Sequence, residues 1–516
     1  MSAAAEAGPR TAKAGRLHRT SVGALALTGA SALRLVLQFA MLPILARLIG
    51  PAEYGLVSLA MPFILLANVL SDGGMGYALG RQKDASPTLE STVFWLGGAL
   101  GLALALFCCA AAFPMGLILH QPRLPVLIMA LSPILLLNSL TAVSNGRIIR
   151  EGRFAVFAAG DLISTGAGAA AAFAAALHGW GAWSLVAQQL VLWVCKMAWV
   201  TFKGGAAIGF RYRFEEARGL LKFGFSTIGA ILADFVSRNV DSLIVGGVLG
   251  ATSLGYYAMA YQIVRVPDML VSGPLYLYIF TAVSRTAHEG RKDAIQGLAT
   301  AGLRLGSSAL APLFCGLALI ADLAVSLVLG AKWLGAIVPL RYLAGAGFCF
   351  CMCSIMATTL MGLGRSALQL RMSLILGAVT VVVVALAVRF GLGPVSGALA
   401  GGMALVCGYY IHRLAGDLKM PRLSLLAAFA PAALGCAAMA VVVLLARRVL
   451  ENAPPAAELV LMVGLGAAAY LAVLWVVARH RLLGDARAFA HAQADKPSAE
   501  AVAEAAELTQ MAAGAM

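Results

Sequence analysis

The chain carries few charged residues for its length. Asp, Glu, Lys and Arg make up only 12% of its 516 residues, whereas an ordinary soluble domain has about twice that share. Hydrophobic residues account for 61% of the chain, and the mean hydropathy is +0.88. No soluble fold of this size needs so much apolar surface. The composition therefore excludes an ordinary soluble protein and favours one embedded in a membrane.

The sequence gives little support for disulfides or for metal sites. The nine cysteines all fall within apolar segments, so disulfides in outer loops are not expected. The run from Cys349 to Cys353 has a cysteine at every second position, but on a helix Cys351 points away from its two neighbours. Small apolar packing residues are the better interpretation of this run. We expect no metal, no cofactor and no catalytic residue, and hence no enzyme.

Apolar segments of membrane-spanning length recur along the whole chain. A helix needs about 20 such residues to cross the hydrocarbon core. About fourteen segments reach that length, and together they predict an all-α polytopic membrane protein. They lie at 22–46, 55–79, 91–113, 124–146, 155–177, 181–202, 223–249, 254–280, 297–329, 335–361, 368–389, 394–415, 423–446 and 458–479.

Basic residues fall on alternate sides of these segments. With the N-terminus inside, about 27 Lys and Arg residues lie on the inner side and about seven on the outer side, as the positive-inside rule requires. Both termini are therefore predicted to be cytoplasmic, in a membrane of the inner type. The net charge of +15 is mostly a topology signal, so no nucleic-acid partner is expected. Arg447 and Arg448 form one outer pair that breaks the rule.

The first apolar segment has a second interpretation. A basic stretch precedes it, and Ala30-Ser31-Ala32 resembles the cleavage site of a secretory signal peptide. However, Arg34 follows at once, and the apolar segment continues to Ala46. Because this length suits a spanning helix, we expect the segment to be retained.

The chain aligns with itself at a shift of 200 residues. Eight identical residues pair without a gap, and the segment from Gly50 to Gly55 pairs with that from Gly250 to Gly255. Each segment is predicted to be a tight outer turn between the first two helices of one half. Because six helices, an even number, separate the two turns, the repeats have the same orientation. Parallel repeats are typical of two-lobed transporters.

Four motifs follow one another in a family-specific order. They are Leu45-Ala46-Arg47-Leu48-Ile49-Gly50-Pro51-Ala52-Glu53-Tyr54-Gly55; Asp72-Gly73-Gly74-Met75-Gly76 with Arg81-Gln82-Lys83-Asp84; Ser91-Thr92-Val93-Phe94-Trp95-Leu96; and Gly330-Ala331-Lys332-Trp333. Over roughly residues 20–480, the chain resembles the polysaccharide-biosynthesis flippases of the Wzx type, within the multidrug/oligosaccharidyl-lipid/polysaccharide exporter superfamily.

The resemblance implies two six-helix lobes related by a pseudo-two-fold axis, plus two C-terminal helices. The corresponding divisions are a cytoplasmic tail (1–20), the N-lobe (21–202), a cytoplasmic inter-lobe loop (203–222), the C-lobe (223–417), the last two helices (423–480) and a cytoplasmic tail (481–516). It also implies that the chain flips undecaprenyl-diphosphate-linked oligosaccharide repeat units by alternating access, for export of exopolysaccharide, capsule or O-antigen. Membrane lipids, a polysaccharide polymerase and a chain-length regulator are the expected partners.

Charged residues inside the membrane segments mark the candidate site, because such side chains face a partner or a water-filled cavity. In the second half, five charged residues and one tyrosine recur at i, i+4 and i+7 on two helices, and each triplet therefore shares a face. The triplets are Asp234, Arg238 and Asp241, and Tyr261, Arg265 and Asp268. Arg238 and Arg265 each lie about 13 residues from the outer turn, which corresponds to a depth of roughly 20 Å.

The first half has corresponding polar residues. Arg34 and Gln38 share one face of the first helix, while Asn68 and Asp72 lie on the second. We predict that Arg34, Gln38, Arg238 and Arg265 bind substrate, because a guanidinium offers a forked set of donors to a diphosphate. Asp72, Asp234, Asp241 and Asp268 are predicted to couple transport to an H+ or Na+ gradient. The alternative is that these residues form ion pairs that only stabilise the bundle.

Gln188, Gln189 and Lys196 in the sixth segment and Asn138 in the fourth are further candidates for lining the lumen. Lys196 is predicted to lie near the inner end, where it can also simply extend to the interface. The tail after Leu483 is predicted to be helical or disordered, with no assigned function.

Two other functions compete with flipping. A multidrug exporter of the same superfamily would share the fold, but its lumen would favour acids for cationic drugs. A membrane polymerase or glycosyltransferase would need a loop large enough to hold a sugar site, and the outer loops here are very short. The arginines favour an anionic lipid carrier as the substrate.

Overall fold

The computed structural model describes residues 29–30, 33–72, 86–205, 209, 213–289, 291–450 and 453–493. Every regular element in these ranges is helical. The N-terminal helices are α1 (33–48), α2 (Pro51–Asp72), α3 (Pro87–Ile118), α4 (Leu124–Arg150), α5 (Phe154–Leu177) and α6 (Ala182–Gly204). The later helices are α7 (214–249), α8 (251–267), α9 (Gly273–His288), α10 (Lys292–Leu319), α11 (Ile337–Gly362), α12 (Ser366–Ala387), α13 (Leu392–Leu418), α14 (Arg422–Val449) and α15 (Pro455–Gln493).

Eleven helical stretches in the described ranges are long and apolar enough to cross a membrane. In the α3 stretch, for example, the mean hydropathy reaches 2.2 while only 28% of that window is buried inside the protein. The remaining apolar surface suits contact with lipid. The prediction of an all-α multi-pass membrane protein is confirmed. Four predicted segments (22–46, 55–79, 223–249 and 254–280) extend into residues or side chains outside the description, so the total of fourteen stays a prediction.

The chain forms two compact units. The first comprises Met1–Phe235 with Gly250–Gly255, and the second comprises Val236–Leu249 with Tyr256–Met516. In the first unit, α5 and α6 pack closely because small residues lie at their contact. A Cβ atom at Gly168 would be 2.8 Å from the carbonyl oxygen of Gln188. Helix pairs in membranes depend on such close approach, since lipid supplies no hydrophobic drive between them.

Several helix boundaries follow from local sequence. Ser86 caps α3 by accepting a hydrogen bond from Leu89 N at 3.0 Å, and Pro87 occupies the first turn, where its missing N–H costs nothing. Gly250 has φ of +83° and separates α7 from α8, a conformation that suits glycine. The segment predicted as one helix over 254–280 is interrupted, because residues Asp268–Ser272 form a π-helix between α8 and α9.

The last two helices belong to the second unit. At the predicted outer end, Arg447 of α14 donates to Asp322, which also lies 3.6 Å from Arg341. Within the bundle, Tyr470 of α15 donates to the carbonyl of Ser308 in α10 at 2.8 Å. Arg447 is one of the two outer arginines that break the positive-inside rule. Its position on the outer side is explained by its carboxylate partner, Asp322.

Helix α15 continues beyond the predicted span and ends at Gln493. Asp485 accepts from Arg304 of α10 at 2.9 Å. Phe489 is fully buried, with its ring centroid 5.7 Å from that of Tyr278 in α9. Of the two possibilities left open for the tail after Leu483, the helical one holds as far as Gln493.

Candidate functional site

Arg34 lies in α1 and pairs with a residue that the sequence analysis did not single out. Its Nη1 donates to Oδ2 of Asp161 in α5 at 3.3 Å. The Nζ of Lys196 in α6 lies 2.9 Å from the other oxygen, Oδ1, of the same carboxylate. Three helices of the first unit therefore converge on one acid that is shared by two cations. We call Arg34, Asp161 and Lys196 the shared-carboxylate cluster.

Two members of the cluster, Asp161 and Lys196, lie well inside their helices. Asp161 is seven residues from the start of α5 and Lys196 eight from the end of α6, so both are about 10–12 Å from the helix ends by the helical rise. Their side chains are only 20% and 19% exposed. The alternative that Lys196 simply extends to the interface does not describe it, because its ammonium is paired with Asp161 within the bundle.

Aromatic rings surround the same ammonium. Lys196 Nζ is 5.3 Å from the ring centroid of Trp193 and 5.7 Å from that of Phe157, distances at which a ring face attracts a cation. Two cations against one acid leave the cluster with a positive excess. Asp161 carries a signal that the sequence analysis could have used, since it is an acid within an apolar segment.

The other candidates of the first half are less informative. Gln38 is exposed on α1, one turn after Arg34. Asn138 of α4 donates to the side-chain oxygen of Asn68 in α2, so these two amides bind each other. Asp72 ends α2, and its side chain lies outside the description, as do those of Asp234 and Arg238 in the second half.

In the second unit, Asp241 is nearly inaccessible at 2% exposure. Its Oδ1 accepts from the backbone N–H of Ser242 at 2.8 Å, and its Oδ2 accepts from the hydroxyl of Tyr257 at 2.9 Å. Tyr261 stacks edge-on against Tyr257 with ring centroids 5.0 Å apart. Arg265 is the neighbouring charge of Asp241. Two predicted site residues, Asp241 and Arg265, are therefore close enough to interact electrostatically, and Asp241 is bound by Tyr257.

Asp268 has different hydrogen-bond partners from those of Asp241. It is the first residue of the π-helix, a feature frequent at functional sites. Its Oδ1 accepts from the hydroxyl of Tyr276 at 3.4 Å and from the thiol of Cys351 at 3.3 Å. Cys351 therefore has a role apart from its neighbours Cys349 and Cys353. Within the described residues, no group of three or more His, Cys, Asp or Glu side chains is arranged to hold a metal ion.

Two residues of the sequence, Glu53 of the first motif and Glu90 just before the third, form ion pairs at the two ends of the first unit and not in its interior. At the predicted outer end, Glu53 binds both terminal nitrogens of Arg123, at 2.6 and 3.1 Å, and accepts from Ala182 N at 3.0 Å. Burial raises the pKa of Glu53, but the hydrogen bonds from Arg123 and from the Ala182 backbone outweigh it, so the pKa lies below its ordinary value. At the opposite end, Glu90 binds Arg150 at 2.6 Å.

The Ser91–Leu96 motif holds the chain that follows α6. Ser91 Oγ accepts from Gly209 N at 2.9 Å, Thr92 Oγ1 accepts from Arg213 N at 3.0 Å, and Trp95 Nε1 donates to Gly209 O at 3.1 Å. These contacts give a structural reason for the polar residues at the start of α3. The sequence offered no signal for them, because their partners lie more than a hundred positions away.

Comparisons with known proteins agree on one family and one fold. The profile of a family described as "Polysaccharide biosynthesis protein" matches residues 44–338. The succinoglycan biosynthesis transport protein ExoT of Rhizobium meliloti is 27% identical over 373 residues, which cover 72% of this chain and 74% of ExoT. The lipopolysaccharide biosynthesis protein WzxC of Escherichia coli is 23% identical over 330 residues, covering 62% and 65% of the two chains.

Among solved structures, the lipid II flippase MurJ in an inward closed conformation superposes with a TM-score of 0.72 at 13% identity. The superposition covers 89% of this chain and all of MurJ. An inward-facing multidrug-resistance transporter of the MATE family gives a TM-score of 0.59 at 15% identity, over 75% of this chain. At these identities the likeness shows a common fold.

Proposed function

The chain belongs to the polysaccharide biosynthesis protein family, and we propose that it flips a lipid-linked oligosaccharide across the membrane by alternating access. The relatives support transport rather than catalysis, since ExoT is named a transport protein. The substrate class that we propose is an oligosaccharide repeat unit on undecaprenyl diphosphate, destined for exopolysaccharide, capsule or O-antigen. Such a substrate joins two negative phosphates to a polar glycan and a long apolar chain.

The observation that carries this proposal is the shared-carboxylate cluster. A lone buried ion pair is neutral and needs no ligand, but Arg34 and Lys196 both bind Asp161. Among the ion pairs of the described residues, Asp161 is the one acid that both cations bind, so an anion would complete the cluster. A guanidinium and an ammonium suit phosphate oxygens, the first by its fork of donors and the second as a compact charge. Arg265 offers a further guanidinium in the second unit.

We further propose that the protein resides in the bacterial inner membrane with both termini in the cytoplasm, as the distribution of Lys and Arg indicates. A polysaccharide polymerase and a chain-length regulator are the proposed partners. Coupling to an H+ or Na+ gradient is proposed for the acids Asp72, Asp234, Asp241 and Asp268, because an acid in the bundle can exchange a cationic partner for an ion.

Ligand binding to the purified protein in lipid nanodiscs tests the function. We expect undecaprenyl-diphosphate-linked oligosaccharide to bind, and undecaprenol without the diphosphate to bind more weakly by at least about tenfold, since charge-assisted hydrogen bonds would be lost. A cationic dye of the kind exported by multidrug transporters serves as the comparison. Tight binding of the dye together with no preference for the diphosphate would favour a multidrug exporter and overturn the proposal.

A further inference from the structure

Two arginines and one acid of the second unit meet near three helix ends. Asp322 lies three residues beyond the end of α10, Arg341 is the fifth residue of α11, and Arg447 is two residues before the end of α14. Arg447 donates to Oδ2 of Asp322, and Nη2 of Arg341 lies 3.6 Å from Oδ1. We call these three residues the outer arginine cluster. Their place at helix ends is the depth at which a spanning helix leaves the hydrocarbon and reaches the lipid headgroups.

Asp322 explains the position of Arg447 but not that of Arg341. The separation of 3.6 Å exceeds the length of a hydrogen bond, and Arg341 makes no hydrogen bond within the described part of the chain. Its side chain is 45% exposed. An arginine on the predicted outer side also opposes the positive-inside rule. The five N–H donors of this guanidinium are therefore available to a group from outside the chain.

The charges of the outer arginine cluster favour an anion as that group. Two guanidiniums against one carboxylate leave one positive charge in excess, and the adjacent Arg448 is exposed. Neither oxygen of Asp322 is open to a further cation, because Oδ2 accepts from Arg447 and Oδ1 is buried. A headgroup that carries an ammonium beside its phosphate would find no acid for the ammonium here.

Apolar side chains beside the two arginines favour a lipid over a free phosphate ion. On α11 they are Val338 and Tyr342, and on α14 they are Leu444 and Val449; each of the four is at least 47% exposed. A free phosphate would contact the guanidiniums and leave this apolar surface uncovered. A phospholipid would cover it with acyl chains while its phosphate binds the arginines, as in other basic pockets between membrane helices.

We propose that the outer arginine cluster binds the headgroup of an anionic glycerophospholipid, of which phosphatidylglycerol is the simplest example. Arg341 and Arg447 donate charge-assisted hydrogen bonds to its phosphate oxygens. The lipid is a resident ligand of the protein surface and not a transported substrate. All three residues belong to the second unit, so the site is complete within that unit and does not depend on the proposed flipping activity.

A reporter placed at the cluster tests the proposal. The many basic residues on the predicted inner side also attract anionic lipid, so the total amount of bound lipid is not informative. Val338 lies one helical turn from Arg341, and a bimane fluorophore on Val338→Cys therefore reports the lipids next to that arginine. The protein is reconstituted in phosphatidylethanolamine vesicles, and quenching by brominated phosphatidylglycerol is compared with quenching by brominated phosphatidylethanolamine. The labelled parent without Val338→Cys gives the background from native cysteines.

We expect the reporter to show a preference of at least about fivefold for phosphatidylglycerol, somewhat less than a fully buried charge-assisted hydrogen bond would give. Arg341→Gln leaves the pair of Asp322 with Arg447 intact and should reduce the preference to about twofold or less. Arg341→Lys keeps the charge without the fork and should retain part of the preference. Equal quenching by the two lipids in the protein with native Arg341 would overturn the proposal, whether or not the Arg341 variants accumulate.

Arg389 supplies the matched controls, because it is another exposed arginine on the predicted outer side, just beyond the end of α12. Arg389→Gln should leave the preference at the Val338 reporter unchanged. A fluorophore on Leu386→Cys, which is exposed one turn before Arg389, should show a preference of about twofold or less, since a single exposed charge is well screened. An equal preference at both reporters, a preference that survives Arg341→Gln, or its loss on addition of millimolar inorganic phosphate would each refute a lipid site at the cluster.

Discussion

Replacing Lys196 by Met tests whether the shared-carboxylate cluster binds substrate. Asp161 keeps Arg34 as its partner at 3.3 Å, so the change leaves a balanced pair and no orphaned charge. The unbranched Met side chain can keep the packing against Trp193 and Phe157. We therefore expect the protein to accumulate in the membrane as before, with stability changed by no more than about 1 kcal/mol, as for most substitutions that create no cavity or unpaired charge.

Substrate affinity should respond much more strongly. A hydrogen bond to a charged group contributes about 1.5–3 kcal/mol, and loss of the ammonium removes at least one such bond to a phosphate oxygen. This corresponds to a weakening of about 10- to 150-fold in the dissociation constant of the lipid diphosphate. The assay is binding in nanodiscs, combined with polysaccharide export from a strain that lacks the native gene.

Lys203→Met supplies the matched control. Lys203 lies in the last turn of the same helix, and it is exposed, with its ammonium over the rings of Trp199 and Phe202. The same loss of one charge there should leave affinity within about twofold, because an exposed charge is well screened. If Lys196→Met binds and exports like the native protein, the cluster is a structural ion pair and the reasoning fails.

The remaining predictions concern four other sites. Glu53→Gln should weaken the outer end of the first unit at neutral pH and remove the part of the acid sensitivity that comes from this carboxylate. Since the folded pKa of Glu53 is depressed, its contribution is present above the unfolded pKa and is lost as pH falls through the folded pKa, which thermal unfolding measured against pH would reveal. Arg447→Gln should lower the melting temperature, because Asp322 would keep only Arg341, at 3.6 Å, as a cationic partner, and Arg447→Gln with Asp322→Asn should recover part of the loss. Arg265→Lys keeps the charge but loses the fork, so export should fall while abundance is preserved; normal export would refute a substrate role. Asp268→Asn should abolish the dependence of transport on an imposed ion gradient in proteoliposomes.

The composition of the chain and the spacing of its apolar segments were sufficient to predict an all-α membrane protein. A membrane imposes a minimum helix length and forbids unpaired backbone in hydrocarbon, so the eleven described helical stretches that could cross a membrane overlap segments that the sequence predicted. The irregular elements could not be found in this way. The π-helix at Asp268–Ser272 shifts the register beyond Pro267, and a rule based on 3.6 residues per turn contains no term for that shift. The helical spacing that placed Asp268 on a face with Arg265 therefore stops being a guide from that point on.

Site residues were predicted less completely than the fold, for a physical reason. Arg34 was recognisable as a charge in an apolar segment, but its partner Asp161 is 127 positions away, and single-sequence reasoning has no measure of which helices adjoin. The same limit hid the contacts of Ser91 and Thr92. Glu53 was visible only as part of a motif. Its role became clear when the folded chain brought Arg123 and Ala182 to it.

Among the acids whose side chains the structure describes, Asp268 is better suited than Asp241 to exchange an ion. Asp241 is almost fully buried, and hydrogen bonds of 2.8 and 2.9 Å from Ser242 and Tyr257 bind its two oxygens. Asn keeps one acceptor oxygen, so one of these two donors loses its acceptor, and Asp241→Asn should reduce abundance while the surviving protein keeps its gradient dependence. The described donors to Asp268 are neutral and at least 3.3 Å away, which makes them easier to displace, and Asp268→Asn should therefore preserve abundance and lipid binding while losing the response to pH or sodium. The reverse result, with gradient dependence lost only in Asp241→Asn, would assign coupling to the buried acid and leave Asp268 as a packing residue of the π-helix.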